Sequence, residues 1–180
     1  LNSIYYKLKP GSKNPEGSQS LVSPNIVPDE QALETAVYFG DQYTITPNLS
    51  VNAGLRYTIF NYLGPHDVNY YMPGFAKDTT TIIETKSFGK NKIIQTYHAP
   101  EARVSMRYTL ADDASLKFSV NTLQQFIHLL SNTAAISPTD VWKLSDPNIK
   151  PLRGYQVSLG FYKDFKNGNI ETSLEVYYKQ

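Results

Sequence analysis

Cysteine is absent from this sequence, which excludes a disulfide framework and any thiolate chemistry. Long apolar runs are absent too. No stretch approaches the roughly 18 residues of a helical membrane span, so a transmembrane helix is excluded. Neither sign of charge dominates: 17 Lys and Arg stand against 16 Asp and Glu, leaving a net charge of +1. The cations are scattered rather than blocked, so nucleic acid is not an expected partner.

Signals for catalysis are equally sparse. His66, His98 and His128 lie far apart, with no paired metal-ligand spacing, and each is expected in a loop or at a strand end. There is no Gly-rich phosphate loop and no Gly-x-Ser-x-Gly. The adjacent carboxylates Asp112 and Asp113 fall in an expected tight turn, where turn chemistry explains them better than acid–base work. The expectation is a protein that is not an enzyme and carries no metal and no cofactor.

What the sequence does have is alternation. Over positions 49–59 the odd residues are Leu49, Val51, Ala53, Leu55, Tyr57 and Ile59, and the even ones Ser50, Asn52, Gly54, Arg56 and Thr58. A period of two with one apolar face is strand text. It recurs at 102–110, from 116 to 121, from 155 to 162 and from 170 to 178, with a weaker strand over 33–45 and the end of another near 4–8. The mean hydropathy is slightly negative, as such averaging of apolar and polar positions requires.

The connections alternate in length. Short turns are expected at 46–48, 111–115 and 166–169, the last with an Asn167-Gly168 pair suited to a hairpin. Long ones, rich in Pro, Gly, Asn, Asp and Ser, are expected at 9–31, 63–94 and 130–152. In an up-and-down meander this places every tight turn at one rim and every long loop at the other, the asymmetry of outer-membrane barrels. Alternation alone does not say which face points inward, so a soluble sandwich or lipocalin-like barrel stays open at this point. Aromatic residues near strand ends (Tyr57, Phe60, Tyr62, Tyr108, Phe165, Tyr177, Tyr178) favour the membrane, where they form interfacial girdles. The chain carries 14 Tyr, 8 Phe and one Trp. About six or seven strands are visible, and closed bacterial barrels start at about eight. The sequence opens at Leu1 and runs out in strand-like text over 174–180, so a piece of a larger barrel is expected.

Particular stretches resemble a known family. Positions 38–57, with Tyr38, Asp41, Tyr43, Ile45-Thr46-Pro47 and the run from Leu49 to Tyr57, look like a barrel hairpin of TonB-dependent outer-membrane receptors. Positions 97–108, with Pro100, Arg103, Ser105, Arg107 and Tyr108, resemble another strand of that family, and 113–121 the strand after it. Positions 123–179 are similar to the transporters of Bacteroidetes-type bacteria. The resemblance implies an all-β fold, an antiparallel up-and-down transmembrane β-barrel segment contributing six to seven strands of about 22, with residues 1–180 a partial barrel and the plug domain absent from this chain. It implies the outer membrane, active import of a nutrient (a siderophore, glycan, peptide or cofactor), and as partners the membrane lipid, the remaining barrel and plug, the TonB complex and a surface lipoprotein. The alternatives are a non-transport barrel, such as an adhesin or passive porin, and a soluble ligand-binding β-domain. The resemblance carries no binding motif. Physical reasoning instead points to Trp142 beside Asp140 and Thr139 in the last long loop, and to Tyr70 and Tyr71 in the middle one, as aromatic and polar groups suited to contacting substrate.

Overall fold

The computed structural model describes residues 1–13, 25–131, 140–165 and 168–180. In chain order its strands are β1 (Asn2–Leu8), β2 (Ser12–Lys13), β3 (Asn25–Ile26), β4 (Glu30–Thr46), β5 (Leu49–Leu63), β6 (His66–Tyr71), β7 (Ile82–Phe88), β8 (Ile93–Ala111), β9 (Ala114–Gln125), β10 (Ile127–Leu130), β11 (Val141–Leu144), β12 (Leu152–Phe165) and β13 (Ile170–Lys179). One seven-stranded antiparallel sheet runs β1-β4-β5-β8-β9-β12-β13, so neighbours in the sheet are neighbours along the chain apart from the small hairpins. This is the expected all-β, up-and-down arrangement. No helix among the described residues is long and apolar enough to cross a membrane, and that says nothing against crossing by strands.

The register sorts side chains onto two faces. Ala53 pairs with Val104, Val104 with Val120 and Val120 with Val157. Two rows away Leu49, Tyr108, Leu116 and Phe161 align. This apolar face is uncovered: Phe39, Leu55, Leu159, Leu174 and Val176 are all exposed. The opposite face aligns Asn52, Ser105, Ser119 and Ser158. Water on the first face would cost heavily over so many side chains; a lipid surround removes that cost and makes the polar face the inner one.

Two expectations about extent are corrected. The weak strand expected over 33–45 is β4, which begins at Glu30 and runs 17 residues, while β5 and β8 run 15 and 19. A tilted membrane crossing needs only roughly 9–11 residues, so these strands are longer than a crossing requires. The long connections are also not irregular throughout: each holds a small hairpin, β2–β3, β6–β7 or β10–β11. Composition hides them because Pro, Gly and Asn at their ends dominate the text, while β7 itself is rich in the Ile, Thr and Phe that suit strands.

The tight turns fall where expected. Gly168 takes a φ of 88°, a conformation that disfavours a Cβ; Lys166 and Asn167 lie outside the described residues. Gly64 closes the base of the β6–β7 excursion, donating to Lys92 O at 2.9 Å and accepting from Asn91 N at 2.9 Å. A Cβ there would collide with the Gly89 carbonyl oxygen, so close backbone approach explains this glycine.

Candidate functional site

At the long-loop rim the inner face changes character. Above Arg56 it carries Thr58, Phe60 and Tyr62 on β5, Ala32 and Ala36 on β4, and Tyr97 and Ala99 on β8, brought together by register. The β10–β11 hairpin folds back onto this apolar shelf. Phe126 stacks on Phe60 with centroids 4.5 Å apart and an interplanar angle of 3°, a parallel contact that suits two aromatic rings only when offset. Ala32, Phe60, Tyr62, Ala99, Phe126 and Leu144 form one buried cluster.

A buried ionic network fixes the hairpin in place. Glu30, at the start of β4 and 4% exposed, accepts from the Leu144 backbone N–H at 2.7 Å, from the Tyr62 hydroxyl at 3.3 Å and from the Lys143 ammonium. Lys143 also reaches Asp146 at 3.0 Å. Asp146 Oδ1 accepts from Asn148 N and Ile149 N, both at 2.7 Å, an Asx-type turn, and its carbonyl accepts from Tyr97 OH at 2.7 Å. His128 and Ser145 are in hydrogen-bond contact at 2.9 Å.

The electrostatics follow from this geometry. Burial works to lower the Lys143 pKa, but Glu30 and Asp146 outweigh it and hold the ammonium above its ordinary value. His66 is pushed below its usual value by burial and then by Lys143, and His128 is lowered by burial. Both imidazoles are therefore neutral near pH 7.

The middle loop joins the same assembly. The Lys77 ammonium donates to Asn148 O at 2.8 Å, and Asn148 Nδ2 donates to Asn69 O at 3.1 Å. Between the two loops lies a cleft of about 220 Å³ lined in part by His66, Asp67, Asn69, Tyr71, Lys143 and Asp146. It combines carboxylates, amides, an imidazole and a phenol ring, groups able to bind a polar ligand that carries both donors and acceptors.

The sequence-predicted residues are only partly brought together. Tyr71 lines the cleft. Tyr70 lies beside Lys86, whose ammonium sits 5.2 Å from its ring centroid. Trp142 is 55% exposed on β11, opposite Leu129, and lies outside the lining of the cleft that its neighbour Lys143 helps to form. Asp140 is half-buried just before β11. Thr139 lies outside the described residues. Sequence reasoning missed Glu30, His66, Lys143 and Asp146. The available signal was weak: a Glu beginning a strand on a face that continues with Ala32, Glu34 and Ala36.

Further down the inner wall the charges balance locally. Arg56 reaches Glu34 at 2.9 Å and Glu101 at 3.6 Å; Glu34 also accepts from Tyr6 OH at 2.8 Å, and Glu101 from Gln124 N at 2.6 Å. Glu101 and Arg103 share the inner face.

Comparison with known proteins returns one result that bears on identity. Neither curated proteins nor solved structures give a match. A family of barrel domains matches over residues 2–180 under the description TonB dependent receptor-like, beta-barrel. That family is typical of the outer membrane and implies transport by a barrel that holds a plug and interacts with TonB. With the match spanning nearly its whole length and its sheet antiparallel, up-and-down and apolar outside, this chain belongs to the TonB-dependent receptor β-barrel family.

Proposed function

We propose that this chain forms part of the wall and outer loops of an outer-membrane active transporter of the Bacteroidetes type, importing a nutrient by a TonB-driven cycle. The observation that supports it most is the inward-folded β10–β11 hairpin, which sets a loop cleft directly over the inner wall. Substrate captured among the loops is thereby delivered to the lumen rather than held at the cell surface, as an adhesin would hold it. The sheet's two edge strands, β1 and β13, need partners, because lipid offers none to backbone groups; in this reading the remaining barrel supplies them, and a plug fills the lumen. The chain has no catalytic part in the cycle. Tyr71 contacts substrate in the cleft, and Trp142, with Asp140 and Thr139 before it, contacts substrate at its outer approach; Tyr70 shapes the second loop.

The test is uptake by cells carrying the intact transporter. Tyr71→Ala and Trp142→Ala are each expected to lower uptake about tenfold, the effect of losing about 1.4 kcal/mol of contact. Collapse of the proton gradient is expected to abolish it. Gradient-independent uptake would leave a passive porin. Unchanged uptake in both variants would remove these residues from the substrate path.

A further inference from the structure

The wall has an opening between β8 and β9. The ladder of β8 with β5 runs from Leu49 opposite Tyr108 to Leu63 opposite Ile93, but its ladder with β9 stops at Arg103 opposite Asn121. β9 itself continues to Gln125 against β12. Two causes part the strands. Pro100 has no N–H to give to β9, and Phe126 leaves with the hairpin to stack on Phe60. Side chains bridge the foot of the opening. The Thr122 hydroxyl accepts from Ala102 N at 2.8 Å, and the Glu101 carboxylate accepts from Gln124 N at 2.6 Å.

Toward the long loops, β8 is left with an open edge. The Ala102 N–H is aimed at β9, and alternate residues of a strand aim their backbone groups the same way. His98 and Thr96 therefore present theirs to the opening, beside the Pro100 carbonyl. Among the described residues no strand pairs with this edge. The Thr96 carbonyl accepts from the neighbouring Gln95 amide at 3.1 Å, which leaves it a second lone pair. His98 and Pro100 are exposed.

A groove of about 450 Å³ crosses the foot of this opening, its lining including Pro100, Thr122, Gln124, Arg153, Tyr155 and Gln180. Arg153 on β12 stands opposite Gln124. Among the described residues, no carboxylate comes within ion-pair distance of it. Gln124 Oε1 is buried and has no hydrogen-bond partner.

We propose that the β8 edge and this groove together bind the extended C-terminal segment of a second protein, which adds a short strand to β8 and places its terminal carboxylate at Arg153. An open edge repeats its donors and acceptors about every 7 Å, twice the rise per residue. A polypeptide backbone carries complementary groups at the same repeat, which is how strand addition gains affinity. The Gln124 oxygen calls for a donor and the Arg153 guanidinium for an anion. A chain terminus supplies both, an amide N–H and a carboxylate. A phosphate, free or on a lipid, answers Arg153 and leaves the edge unmatched. With its terminus at Arg153, the added strand runs parallel to β8. The proposal concerns the wall itself and does not depend on whether the barrel transports.

The experiment uses the full-length receptor in lipid nanodiscs. The probe is a fluorescent heptapeptide of alternating Thr and Val with a free C-terminus, and binding is read by anisotropy. Thr96→Pro removes one edge N–H that the β5 ladder does not use, and is expected to weaken binding about tenfold. Thr96→Val keeps the N–H and is expected to bind as wild type. Arg153→Gln and amidation of the probe's terminus are each expected to cost about tenfold, and no more when combined, because both remove one contact. Two further probes, N-methylated on one or the other set of alternate amides, need no change to the receptor; only one of the two is expected to bind. A heat-modifiable gel band verifies that each barrel is folded. Equal binding of the two methylated probes, or a folded Thr96→Pro receptor that binds as wild type, would overturn strand addition. So would retention of anionic lipid that Arg153→Gln abolishes in a receptor that binds no peptide, since the groove would then hold a phosphate.

Discussion

Glu30 shows how much one side chain can decide. It is the residue through which a loop hairpin is tied to the wall, and its donors come from a backbone amide, a phenol and an ammonium. A buried carboxylate of this kind is stable only while its partners stay. Glu30→Gln keeps the shape and can still accept from Leu144 N, but it removes the charge facing Lys143. Because Lys143 retains Asp146 and its side chain is 22% exposed, the loss is set at about 2 kcal/mol, below the roughly 3–5 kcal/mol of a fully buried broken pair. Hydrogen exchange at the Leu144 amide is the measurement: faster exchange is expected there, with the β4–β5 ladder unchanged. If Leu144 stays as protected as before, Glu30 is not the anchor.

At the scale of elements, the long strands were legible and the docked hairpin was not. The alternation from Leu49 to Ile59 fixes which residues share a face, and the register of β5 with its neighbours bears that reading out. The β10–β11 hairpin has four residues in each strand, Ile-His-Leu-Leu and Val-Trp-Lys-Leu. That is too short for periodicity to separate from loop text. Its position depends on Glu30, more than a hundred residues away, and no local pattern announces such a contact. Trp142 drew notice as a large aromatic, yet the groups that organise the site are its neighbour Lys143 and the distant Glu30. The docked state is also pH-sensitive. His66 and His128 have folded pKa values below the ordinary 6.5, so between the two values the undocked loops bind more protons than the docked ones. Their contribution is fully present above about pH 6.5 and is lost as pH falls through the lowered values. Protonated His66 would meet Lys143 as a like charge, with Glu30, Asp146 and Asp67 only partly offsetting it. Protease cleavage of the undocked β10–β11 hairpin is therefore expected to rise as pH falls below about 6.5, and a His66→Gln, His128→Gln double variant is expected to flatten that rise. A flat wild-type profile over this range would contradict it.

For the whole molecule, the decisive question is which face of the sheet meets lipid, because alternation alone leaves inside and outside equivalent. Leu159 is 54% exposed near the middle of β12, on the face shared with Val157 and Phe161. Gln156, one row over, faces inward beside Asn121 and Lys179. If the apolar face meets lipid, Leu159→Arg in the intact barrel places a cation near the bilayer midplane and costs about 2–4 kcal/mol, whereas Gln156→Arg faces the wet interior and costs far less. Phe165→Arg, at the turn-side rim, is expected to cost about 1 kcal/mol or less, since the penalty falls toward the interface. Urea titration of the barrel folded into vesicles measures all three. Repeating the titration in bilayers of different thickness separates lipid from protein surroundings. The penalty at Leu159 should grow with thickness, because a thicker hydrocarbon layer places the cation farther from water. A soluble core offers no such dependence, so a penalty that stays constant across lipids would mean that this face packs against protein.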